Sequence, residues 1–175
     1  MQTDQSAQPQ LPPMTPSQEG AAYGAALAAM NRPSGVQTRR AGDYEIALAV
    51  EQAEGLWFPD GGDVTWQEPG EANAHVEVAV RDAADGRFLP GLTISVTIAA
   101  ADGTTVGTQD LPFLWHPWLY HYGRNWTLPA SGDYEFRVRV AAPSFPRHDH
   151  KNGYRYARPV EASFRQHVDV GQKRS

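Results

Sequence analysis

From Asp43 onward apolar and polar positions alternate with a period of two, the pattern of a strand with one buried face. In residues 43–50, Tyr44, Ile46, Leu48 and Val50 fall on one side and Glu45, Ala47 and Ala49 on the other. Residues 73–82 repeat it, with Val76, Val78 and Val80 inward and His75, Glu77, Ala79 and Arg81 outward. So do Leu92, Ile94, Val96 and Ile98, and again Tyr134, Phe136, Val138 and Val140. Shorter extended runs are predicted at 56–58, 104–111, 125–128 and 158–164. Gly, Asp and Pro turns separate these runs, and Asp102-Gly103 reads as a hairpin turn. Short strands at such spacing predict an all-β protein, an immunoglobulin-like antiparallel β-sandwich whose sheets are packed on one face and wet on the other.

A helical pattern is confined to the N-terminal side. Residues 16–30 follow a cap at Thr15 or Ser17, carry Glu19 in the first turn, and continue through Ala-Leu-Ala-Ala-Met. The 32–35 stretch, Arg-Pro-Ser-Gly, ends this helix. Before it the chain is rich in Gln, Pro, Ser and Thr, a composition that buries too little surface to offset its ordering entropy. The expected organisation is a disordered tail at 1–18, a short helix and linker at 19–42, one domain at 43–168, and a frayed tail at 169–175.

Composition narrows the function classes. The chain has 175 residues and a formal net charge of −5, which disfavours a nucleic-acid backbone as partner. It contains no cysteine, so disulfides, thiolate metal sites and cysteine nucleophiles are excluded together. No apolar run approaches the roughly 20 residues of a membrane span, and the first ten residues show no signal-peptide pattern. Neither Gly-x-Ser-x-Gly nor His-Glu-x-x-His occurs, and the protein is expected not to be an enzyme.

The chemistry concentrates in the histidines and in one aromatic stretch. Residues 111–126, LPFLWHPWLYHYGRNW, hold three of the five tryptophans together with His116 and His121. His75 and Glu77 stand at i and i+2 on one face of a strand, about 6.6–6.8 Å apart, where an imidazole and a carboxylate can converge on one cation. Taken alone, that pair reads as part of a solvated outer face. His148 and His150 lie on a loop restricted by prolines, His167 near the C-terminus reads as a surface residue, and Gly123 permits a sharp exit after His121. A long-range set of His, Glu, His and His is what a borderline metal ion requires.

Three stretches together resemble the periplasmic ferrous-iron transport accessory family, copper-binding immunoglobulin-like proteins that work beside high-affinity iron permeases. His75-Val76-Glu77 matches its His-x-Glu strand motif. Tyr120-His121-Tyr122-Gly123-Arg124-Asn125 matches its Pro-His-Tyr-Gly-x-Asn loop, and Phe145-Pro146-Arg147-His148 its Phe-x-Arg-His loop. Order and spacing agree over about residues 43–166. The resemblance implies a metal site of His75, Glu77, His121 and His148, a homodimer with that site near its interface, an iron permease as partner, and a periplasmic or extracytoplasmic location. His116 and His150 are reserve ligands. The family places a methionine seven residues before the loop histidine, where this chain has Leu114. Copper loses its soft ligand there, and a His/carboxylate site for Cu(II), Fe, Zn or Mn is implied, with Cu(II) favoured.

The expected function is therefore a transition-metal-binding accessory protein in iron or copper handling. The alternative is a carbohydrate- or partner-binding β-sandwich using Trp115, Trp118 and Trp126 as an aromatic platform. On the metal reading the tryptophans wall and stiffen the loop while His121 carries the chemistry.

Overall fold

The computed structural model describes residues 14–30, 35–148 and 150–170. Most of the 1–18 tail, the helix stop at 32–34 and most of the 169–175 tail lie outside the described residues. Helix α1 (Pro16–Met30) has the predicted bounds and starts inside the segment expected to be disordered. Thr15, not Ser17, caps it. The Gln18 N–H donates to Thr15 Oγ1 at 3.3 Å, and the Thr15 N–H donates to Gln18 Oε1 at 2.9 Å, a reciprocal capping box.

Two antiparallel sheets carry the core. The first has the order β1 (Gln37–Ala41), β2 (Tyr44–Glu51), β5 (Ala74–Asp82), β9 (Tyr120–Trp126), β8 (Phe113–Trp115). The second runs β11 (Val160–Val168), β10 (Gly132–Val140), β6 (Ile94–Ala100), β7 (Thr105–Leu111). A separate hairpin pairs β3 (Leu56–Asp60) with β4 (Asp63–Gln67). The inward residues read from the alternation, among them Ile46, Leu48, Val76, Val78, Val96, Ile98, Phe136 and Val138, form one buried cluster between the two sheets. Tyr122 ties the core to the 89–92 turn: its hydroxyl donates to the Leu89 carbonyl at 2.8 Å and accepts from the Leu92 N–H at 3.0 Å.

The outer face of the first sheet is not wet. Ala47, Ala49, Ala79 and His75 are buried although they alternate away from the core. Helix α1 covers this face with Gly20, Tyr23, Gly24 and Leu27, the i, i+3, i+4, i+7 stripe of one helix side. Gly20 permits the contact, since a Cβ there would lie 1.8 Å from the Asp85 carbonyl oxygen. Tyr23 stacks on Phe88 at 5.3 Å and donates to the Tyr120 carbonyl at 2.5 Å. Alternation in one strand cannot reveal that a distant helix lies on the polar side.

Three strands were not anticipated. β1 and β4 lack a clear alternation, and β8 with β9 converts the aromatic stretch from a long loop into a hairpin closed by residues 116–119. Leu114 pairs with His121 across that hairpin. His167, assigned to the tail surface, sits in β11, exposed, with its Nδ1 2.8 Å from Asp133 Oδ1.

Candidate metal centre

β5 and β9 build the site by their register. Glu77 lies opposite Gly123, and His75 opposite Asn125, so His75, Glu77 and His121 share the outer face beneath α1. His121 Nε2 is 3.5 Å from Glu77 Oε1, and His75 Nε2 is 3.8 Å from the same oxygen. Two ligands bound at 2.0–2.2 Å to one tetrahedral ion are about 3.4 Å apart, so these separations need little adjustment. Among the described residues this is the one group of three or more His, Asp or Glu whose ligand atoms all lie within 4.8 Å of one another.

Both imidazoles are buried, 1% exposed for His75 and 4% for His121. His75 Nε2 and both ring nitrogens of His121 have no hydrogen-bond partner. Buried polar atoms in folded proteins are nearly always satisfied, so two orphaned Nε2 atoms, one from each ring, facing one carboxylate mark a place built for an added group. The reading of His75-Val76-Glu77 as a solvated face is corrected, because α1 and the 116–119 turn exclude water from it. Between them lies a cavity of about 20 Å³ reached by Leu27, Ala49, Glu51, Glu77, Leu119 and His121, room for one water or one bare ion.

Asn125 orients His75. Its Nδ2 donates to the Glu54 carbonyl at 2.7 Å, which leaves Oδ1 to accept from His75 Nδ1–H at 2.7 Å. The Nε2 lone pair is thereby aimed at the cluster, the arrangement that steadies metal-binding imidazoles. Gly123 has a different role from the expected sharp exit. It is an extended strand residue, and a Cβ on it would fall 2.8 Å from His75 Nε2 and 3.0 Å from Leu114 Cδ1. Its missing side chain is the space in which the ligands meet, and Leu114 lines that space without a donor atom.

Electrostatics favour a cation. Burial, then the Glu51 and Glu54 carboxylates, push the Glu77 carboxyl up to about 7. Burial, then His75 and His116, hold the His121 imidazole down at about 4. His121 is thus neutral, the form that ligates, across the physiological range, and a divalent ion would relieve the crowding of negative charge at Glu77.

The other predicted ligands are not brought in. His148 is exposed, and its neighbour Arg147 bonds the Arg155 carbonyl at 3.3 Å. Arg155 in turn pairs with Asp82 at 2.7 Å, seven residues along β5 from His75, a span of about 23 Å. Within one chain the structure brings together three of the four, His75, Glu77 and His121. His150 is exposed as well. His116 comes near, its ring centroid 6.2 Å from that of His121, but its Nδ1 accepts the Trp118 N–H at 3.3 Å. Glu51, Glu54 and Asn125 were missed. Glu51 continues the outer face of β2 and pairs opposite His75, a relation visible only once the register is known.

The tryptophans divide differently from expectation. Trp126 is core, 2% exposed, whereas Trp115 and Trp118 are 71% and 72% exposed and wall nothing.

The fold and site define a class: an all-β antiparallel sandwich with a buried His–Glu–His cluster at ligand spacing. The chain belongs to the Fe2+ transport protein family, whose model matches residues 63–170. Its fold is similar to that of FetP from uropathogenic Escherichia coli strain F11, with 21% identity and a TM-score of 0.66 over 78% of this chain and 95% of that one. It is also similar to copper-reconstituted P19 from Campylobacter jejuni, with 21% identity and a TM-score of 0.67 over 80% of this chain and 98% of that one. No curated protein matches by sequence.

Proposed function

We propose that the protein is a transition-metal-binding accessory in iron or copper uptake, holding one divalent ion between His75, Glu77 and His121. The observation that carries this is the pair of buried, unpartnered imidazole Nε2 atoms, of His75 and His121, at a single carboxylate oxygen. Imidazole and carboxylate suit Cu(II), Fe, Zn and Mn, and Cu(II) heads the affinity order; the copper found in P19 supports that preference. The ion is cargo, and the protein is a carrier with no catalytic role. A membrane permease is its partner, and the periplasm its compartment; the recombinant expression of FetP in the periplasm supports the compartment.

The topology reading goes with this. The order β2-β5-β9-β8 against β11-β10-β6-β7 supports an immunoglobulin-like reading of the sandwich. The Tyr134 hydroxyl, near the start of β10, donates back to the Ala130 carbonyl at 2.6 Å as a tyrosine corner does.

A homodimer is the assembly in which His148 takes part. Its own chain tethers it toward the Asp82 end of β5, and in a second copy that same position lets His148 approach this site across an interface. Calorimetric titration of the full chain with Cu(II) is expected to give about one site per chain, abolished by His75→Ala with His121→Ala. Wild-type heat no greater than that of the double variant would sink the reading. For the dimer, mixing His121→Ala with His148→Ala protomers should restore binding that neither shows alone, and sedimentation should report a dimer.

A second reading has one observation in its favour. Trp115 and Trp118 stand in solvent beside the half-exposed Phe113 and Tyr120, an aromatic surface suited to stacking on a sugar or a partner. Quenching of tryptophan fluorescence by oligosaccharide, unaffected by the histidine substitutions, would support it.

A further inference from the structure

Three donors leave a tetrahedral ion one position short and an octahedral ion three short. Even with His148 of a second copy, an octahedral ion lacks donors, and the neighbours of the same chain already considered do not supply them. Leu114 has no donor atom, and the Nδ1 lone pair of His116 is taken by the Trp118 N–H.

One carboxylate outside the His–Glu–His set is placed to do so. Glu54 Oε1 lies 4.0 Å from His75 Nε2, a separation two ligands of one ion can span. That nitrogen belongs to a side chain 1% exposed and has no hydrogen-bond partner. The approach of Glu54 is built into the backbone. Asn125, which aims His75, also accepts from the Glu54 N–H at 3.5 Å and donates to the Glu54 carbonyl at 2.7 Å. The next residue is Gly55, where a Cβ would meet the Trp66 ring at 2.1 Å. The β3–β4 hairpin therefore packs directly on this loop, which Asn125 of β9 ties to the sheet. Only the Glu54 carboxylate remains free to move, with its side chain 55% exposed.

We propose that Glu54 is the fourth ligand this chain itself supplies to the centre, an oxygen donor that closes on the ion from the solvent side. One Asn125 amide thus sets two ligands at once, His75 through its ring and Glu54 through its backbone. An oxygen in place of a soft donor directs the site toward divalent ions served by nitrogen and oxygen and away from Cu(I). This rests on the metal reading above and adds a donor to it.

The test compares Glu54→Gln with Glu71→Gln, an exposed acid that serves as a control for simple charge loss. Mn(II) and Cu(II) are titrated calorimetrically into the full chain, and the Cu(II) complexes are measured by electron paramagnetic resonance. Glu54→Gln should keep one site per chain, lose affinity for Mn(II) about tenfold or more, and shift the Cu(II) g∥ and A∥ values away from oxygen coordination. Glu71→Gln should leave both unchanged. Because the backbone makes the Glu54 hydrogen bonds, the variant should melt like the wild type, and Glu54→Asp, which withdraws the carboxylate, supplies a second loss of Mn(II) affinity. Unchanged affinity and spectrum in Glu54→Gln, or an equal loss in Glu71→Gln, would overturn the assignment while leaving the His–Glu–His centre standing. Wild-type protein that takes up neither metal would overturn the centre itself.

Discussion

A methyl group added at Gly123 would lie 2.8 Å from His75 Nε2, closer than a Cβ tolerates, and 3.3 Å from His121 Cδ2, a tight contact. Gly123→Ala must displace one imidazole, and it should weaken metal binding about 10–100-fold while the backbone, extended in β9, keeps its conformation. Titration of the variant beside its circular dichroism checks both halves of that statement. Leu114→Met places a thioether on the same space and should raise Cu(I) affinity relative to Cu(II), readable by competition with a chelator of each ion. Acid also acts at this scale through one residue. His121 stays neutral down to about 4, whereas Glu77 takes up a proton near about 7, so metal affinity should fall as pH drops through 7 with Glu77 as the competing base. Glu77→Gln should remove most of that slope.

Among the elements, α1 decides what the outer face of the first sheet is. Its contact rests on Gly20, which has room for no side chain against Asp85. Gly20→Ala should lift the helix start, lower stability by about 1–3 kcal/mol as overpacking does, and speed metal release measured by stopped-flow chelation. Helix propensity works the other way, because alanine favours helices over glycine. A melting temperature raised by Gly20→Ala would therefore contradict the close approach. The β8–β9 hairpin illustrates a different limit of reading. Its aromatic side chains were conspicuous, yet which of them face water depended on pairing Leu114 with His121, and pairing is not written in the local pattern.

For the whole molecule, the two shifted groups set opposite slopes of stability against pH. The Glu77 carboxyl moves from 4.5 to about 7 on folding, so its contribution is present below 4.5 and lost as pH rises through 7. The His121 imidazole moves from 6.5 to about 4, so its contribution is present above 6.5 and lost as pH falls through 4. Between roughly pH 4.5 and 6.5 the two nearly cancel. In metal-free buffer the Glu77→Gln protein should gain stability as pH rises from 4 to 6.5. Above pH 7 it should exceed the wild type by roughly 3 kcal/mol at most. Denaturant melts across that range test the sign.

The sequence by itself determined the alternating core strands β2, β5, β6 and β10, the helix and its bounds, and the residue types of the site. Alternation and capping are local, and their physics is complete within a few residues. Only the tertiary structure decided that His75 and Glu77 lie under a helix, that Glu51, Glu54 and Asn125 surround them, and that His148 of the same chain stays away. Those facts depend on strand register and on α1 crossing to residues some 60 positions later, contacts set by packing over the whole chain that no short window of sequence contains.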